Sequence, residues 1–119
     1  MDFPEQLVRL DHAVALDRLG GDMELLRECA QLFLEEYPGL LKNIKGAVVA
    51  RDSAALQRAA HTMKGAVANF GAHGAYEAAY QLELMGRRHD LKEVDPAYET
   101  LARIMSQIHP ALVELATSS

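Results

Sequence analysis

The chain has one cysteine, Cys29, no tryptophan, and only 6% aromatic residues. A lone cysteine excludes an internal disulfide framework and suits a reducing compartment; its apolar neighbours predict a buried thiol. Long hydrophobic runs are missing too. The longest, "GAVVA" among them, fall far short of the roughly 20 apolar residues of a membrane span. The N-terminus, "MDFPEQ", lacks the basic start and apolar middle of a signal peptide. A soluble, cytoplasmic protein with no membrane partner is expected. Basic residues are in deficit, 12 against 17 acidic, for a net charge of -5. No polycationic surface is available for a phosphate backbone, which excludes nucleic acid as a partner. There is no Gly-rich nucleotide loop, and no room for an ATP-binding domain, so no ATP-dependent kinase activity is expected. The residues three before the five histidines are Arg9, Arg58, Phe70, Gly86 and Ser106. The Glu-x-x-His pattern of a metal-binding bundle is therefore absent, and no metal or bound cofactor is expected.

What remains is helix. Half of the 119 residues are hydrophobic, enough for one domain with its own core. After a short helical segment around Leu7 to Leu19, "GGD" supplies a stop and an N-cap at Asp22. Leu26, Cys29, Ala30, Phe33, Tyr37, Leu40, Leu41, Ile44 and Val48 then recur at steps of three and four, in a phase that survives Pro38. One long helix, kinked at that proline, is predicted to about residue 50. Asp52 caps the next, which "GAHG" ends near Phe70. A further helix covers 73–88. "DLKEVDP" forms a loop with Asp95 as N-cap and Pro96 at the first helical position, and a last helix runs to about 116, bent at Pro110. The predicted fold is all-α: an antiparallel up-down four-helix bundle over 22–50, 53–70, 73–88 and 96–116, with a short additional N-terminal helix.

One histidine stands apart. In "AAHTMKGAVANFGAHG", the residues Leu56, Ala59, Ala60, Met63, Val67 and Phe70 share one arc of the helical wheel, the core side. His61 lies opposite, on a face with Ala54, Gln57, Arg58, Lys64, Gly65 and Ala68. Gly65 in a helix interior costs about 1 kcal/mol against alanine, and no local turn asks for it. Its use is space. A missing side chain one turn from His61 lets a bulky partner or a phosphoryl group approach the imidazole. Lys64, three residues on, can fold its ammonium toward the same spot. A neutral imidazole offers a ring lone pair for attack on phosphorus. Histidine, cation and open space together describe a phosphoryl acceptor. A pure interaction bundle, using the same face without accepting phosphate, fits these residues as well. The other histidines, His12, His73, His89 and His109, read as surface or helix-end residues. Met63, Met85 and Met105 read as core fillers, and "GRRHD" as a positively charged helix C-terminus.

"AHTMKGAVANFGA" resembles the histidine-containing phosphotransfer (HPt) domain, whose signature is His-x-x-Lys-Gly with a glycine like Gly71 ten residues after the histidine. "GGDMELLRECAQLFLEEYP" is similar to the family's preceding helix and "LELMGR" to the following one, so the likeness spans roughly residues 10 to 115. It implies a four-helix bundle and a phosphorelay intermediate: His61 as phosphoacceptor, Lys64 beside the phosphate, and Gly65 permitting a receiver domain to dock. Gln57, Arg58 and Ala68 would share the binding face. Glu83 would lie on the neighbouring helix near the histidine. Ala66 departs from the serine that many members carry. The partners implied are response-regulator receiver domains, which bring the Mg²⁺, and a hybrid sensor histidine kinase. A dimerisation helix of a histidine kinase fits less well, because Thr62 stands where a carboxylate commonly follows the histidine. The initial methionine and compact ends favour a freestanding relay protein, and a monomer is expected.

Overall fold

The structure, a computed structural model, describes residues 3–118. A single 3₁₀ turn, Glu5–Leu7, precedes five α-helices: α1 His12–Arg18, α2 Met23–Ala50, α3 Ser53–Ala68, α4 His73–Arg87 and α5 Val94–Thr117. The described residues contain no strand. Three helices begin the same way. The carboxylates of Asp11, Asp22 and Asp52 accept from the backbone N–H three residues on, Val14, Leu25 and Ala55, at 3.2, 3.0 and 3.0 Å. Each satisfies one of the donors that a helix start leaves free, a stabilisation of about 1 kcal/mol.

α5 begins differently from expectation. Its N-cap is Glu93, without a side-chain hydrogen bond, and Asp95 already lies in the first turn. The Asp95 carboxylate is occupied elsewhere: the Arg51 guanidinium reaches it at 2.7 and 3.3 Å, tying the end of α2 to the start of α5. Arg51 itself stands in the left-handed region, φ 54°, and ends α2. α3 stops at Ala68, two residues short of the expected 70, and a turn through left-handed Gly71, φ 63°, leads into α4. α2 continues through Pro38 and α5 through Pro110. Each proline withholds one N–H from the ladder, and the apolar face of its helix stays in phase across it.

The helices pack α2 on α3, α3 on α4, α4 on α5 and α5 on α2, closing an up-down ring. The core is built on the faces that periodicity marks in α2 and α3, with Leu26, Ala30, Phe33, Ile44 and Val48 of α2 and Leu56, Ala60, Met63 and Val67 of α3 buried, joined by Ala75, Ala79 and Leu82 of α4 and by Leu101, Ile104, Met105, Ile108 and Leu112 of α5. Cys29 is a correction. It is half-buried, in a shallow hollow between α2 and α3 with Leu32, Phe33 and Ala66. α3 and α4 approach closely at Gly86, where an added Cβ would lie 2.7 Å from the Gln57 nitrogen and the Ser53 carbonyl oxygen. Only glycine allows that spacing, and it sets the distance across which the site is built. At the other end of α4, Asp11 donates its N–H to the Gly71 carbonyl at 3.1 Å and fastens the N-terminal segment over the α3–α4 turn.

Candidate functional site

His61 stands in the middle of α3, two turns from either end, with its side chain 67% exposed. The ring is not free. Its Nδ1 lies 3.0 Å from Oε2 of Glu83, on α4. Glu83 is the one buried charged residue among the described residues, 2% exposed. A carboxylate is rarely buried without partners, and here three groups converge on it. Lys64 brings its ammonium to 2.7 Å from Oε1, a close ion pair. Arg87, one turn on along α4, donates from Nη2 to Oε2 at 3.0 Å, the oxygen that also faces His61.

The electrostatics follow from this convergence. Burial pushes the Glu83 carboxyl up, but the hydrogen bonds and charges of Lys64 and His61 outweigh it and hold the group below the usual 4.5. Lys64 is held above its usual 10.5, first by its bond to Glu83. An ionised carboxylate only accepts, so the nitrogen facing it, Nδ1, carries the ring proton. Nε2 is then the nitrogen with the lone pair in the neutral ring. The arrangement presents a nucleophile to solvent with its tautomer set from behind and a buried negative charge ready to stabilise positive charge on the ring.

Sequence reading placed Lys64 toward the open space beside His61. Its ammonium is instead engaged inward: the side chain is 17% exposed and passes over Tyr80 and Tyr76, 5.1 and 5.9 Å from the ring centroids. Gly65 is exposed, and a Cβ there would meet nothing within 4 Å. Gln57, half-buried, and Arg58, exposed, line a hollow of about 340 Å³ with His61, Glu83 and Arg87. Arg58 and Thr62 also border a wider groove between α2 and α3, floored by Gly46, Ala47, Ala55 and Ala59. Ala68 does not share the His61 hollow. It is half-buried and lines a separate depression with Val14, Arg18, Gly71 and Tyr76. Arg87 was missed by the sequence reading, although Glu83 and Arg87 stand at the i,i+4 spacing of a helical ion pair.

The remaining histidines lie away from this site. His12 and His73 open α1 and α4, and His89 has a left-handed backbone just after α4. His109 accepts or donates at Nδ1 to the Tyr37 hydroxyl, 2.6 Å away across α2 and α5. No group of three or more His, Cys, Asp and Glu side chains that could hold a metal ion occurs among the described residues. No described helix is long and apolar enough to cross a membrane.

Comparison with known proteins adds to this geometry. The family model described as "Hpt domain" matches residues 28–111. Among solved structures, histidine-containing phosphotransfer protein B from Pseudomonas aeruginosa PAO1 superposes with a TM-score of 0.85 at 21% identity, over 99% of each chain. The HPT domain of a sensor hybrid histidine kinase from Shewanella gives 0.78 at 19% identity, over 95% of this chain and 99% of that one. At these identities the likeness shows a shared fold. No curated protein matches.

Proposed function

Because the chain belongs to the Hpt domain family, we propose that it is a phosphorelay carrier that takes a phosphoryl group onto His61 from a receiver-domain aspartate and passes it to another. The observation carrying this reading is the bond from His61 Nδ1 to buried Glu83, which leaves Nε2 as the exposed nucleophile.

The step balances simply. The Nε2 lone pair attacks phosphorus, the N–P bond forms, and the P–O bond to the donor aspartate breaks with its electron pair on the departing carboxylate. The proton on Nδ1 stays in place, so the phosphorylated ring is positive, and the negative charge of Glu83 3.0 Å away stabilises that state. Transfer to the next receiver reverses the same motion. Positioning and charge neutralisation are most of what phosphoryl transfer asks of a protein. The receiver brings the Mg²⁺ and the acceptor carboxylate; this chain brings the nucleophile and a docking face opened by Gly65. In this reading the chain is a phosphoryl carrier that does not itself consume ATP.

The test is direct. Receiver domains from the same genome, charged with acetyl phosphate, are incubated with the purified chain, and the label on it is tested for acid lability and base stability. Label on the wild-type chain that is absent from a helical His61→Gln variant supports the reading. Label that persists on the variant overturns the choice of nucleophile, and receiver binding without label identifies the chain as an interaction module.

A further inference from the structure

Of the three cations at the site, one is committed and two are open. Lys64, the lysine of the motif, sits on Glu83 Oε1 with four-fifths of its side chain covered, over two tyrosine rings. Drawing it out to a phosphate would strip a buried carboxylate of its nearest counter-charge, which is costly. Arg58, three residues before His61 and therefore one turn away on α3, is exposed and has no ion-pair partner among the described residues. Arg87 is half-exposed and spends one donor, Nη2, on Glu83. A guanidinium has five donors, so most of its fork is uncommitted, and both arginines line the hollow with His61.

Given the phosphoacceptor reading, on which this rests, we infer that Arg58 and Arg87, and not Lys64, are the cations that meet the phosphoryl group on His61. Lys64 is a positioning residue that acts through Glu83. The chemistry favours this division. A planar guanidinium matches two phosphate oxygens at once, and two forks on adjacent helices can approach a tetrahedral group from two sides. An ammonium held by a carboxylate fixes geometry instead.

The probe is phosphoramidate, a small donor that needs no receiver. The intact chain is labelled with it, and the second ionisation of the phosphohistidine is followed by ³¹P NMR against pH. A cation beside the phosphate favours its dianion and lowers that ionisation. Arg58→Gln and Arg87→Gln should each raise it by about half a pH unit or more without changing helix content. Lys64→Gln should move it less than either, while altering the ¹⁵N signature of the His61 tautomer. Arg58→Gln is the decisive variant, because Arg58 bonds to none of the other site groups and its loss leaves Glu83 undisturbed. An unshifted ionisation in Arg58→Gln overturns the inference, as does a Lys64→Gln shift larger than both arginine variants. A wild-type chain that takes no label from phosphoramidate or from charged receivers defeats the phosphoacceptor reading itself, and this inference with it.

Discussion

At the scale of single residues, the site is one carboxylate with three claimants. Glu83 is useful because it is buried: in a poorly solvated position its charge acts strongly on the imidazole 3.0 Å away. Glu83→Gln keeps the shape and a hydrogen-bond acceptor but removes the charge that stabilises the positive ring. Labelling of His61 by phosphoramidate should slow on the order of 10²-fold, the lower end of what a positioned charged partner contributes, and single-turnover kinetics would read it. An unchanged rate would mean that the carboxylate only holds the ring. Much of this was legible in the sequence. His61 was placed outside the core by phase, Gly65 by its helical cost, and Glu83 near the histidine by resemblance. The destination of Lys64 was not legible, because a flexible four-carbon stem can reach either the solvent or the next helix. What decides it is a carboxylate 19 positions later that needs a counter-charge. Arg87 was hidden for the same reason: its i,i+4 spacing from Glu83 is ordinary on any helix, and only the burial of Glu83 makes it matter.

At the scale of elements, two glycines in helices do opposite things. Gly86 lets α4 lie against α3, and an added methyl would press on backbone at 2.7 Å. Gly86→Ala should therefore destabilise by about 1–3 kcal/mol, the usual penalty of overpacking, and should weaken the His61–Glu83 bond by spreading the helices. Urea titration with the His61 ¹⁵N spectrum as a second readout checks both. Gly65 faces nothing within 4 Å. Gly65→Ala should stabilise by about 1 kcal/mol through helix propensity alone. Gly65→Leu should fold and accept phosphoramidate normally, yet take phosphate from a receiver about tenfold more slowly or worse, roughly 1.4 kcal/mol of lost docking. Equal receiver rates for Gly65→Leu and the wild type would show that the gap is not a docking feature. The helices themselves were legible because their signals are local: aspartate caps at 22 and 52 and apolar steps of three and four. The start of α5 was misjudged because Asp95 is drawn to Arg51, 44 residues away, and no local pattern shows that pairing.

At the scale of the whole molecule, the same ion pairs set how stability depends on pH. Glu83 is held below its ordinary 4.5 despite burial, so the unfolded chain binds its proton more readily than the folded one. The stability it contributes is fully present above about 4.5 and is lost as pH falls through the lowered folded value. Asp95, lowered by its bond to Arg51, and Asp11, lowered by the Val14 N–H, act with the same sign at exposed positions where solvent screens them. Lys64 is raised above 10.5, so its contribution is complete below that value and is lost as pH rises through the higher folded one. The carboxylate–ammonium pair that joins α3 to α4 is thus intact from about pH 5 to 10. A melting-temperature profile should show an acid limb beginning near pH 4, and Glu83→Gln should flatten that limb while lowering the plateau, since Lys64 and Arg87 lose their counter-charge. An acid limb of unchanged steepness in Glu83→Gln would assign acid sensitivity to the exposed carboxylates, and would mean that the buried one is folded around without being a source of stability. The distinction reaches function, because a relay site whose tautomer is set by an ionised carboxylate keeps its nucleophile oriented at any pH at which that carboxylate stays charged.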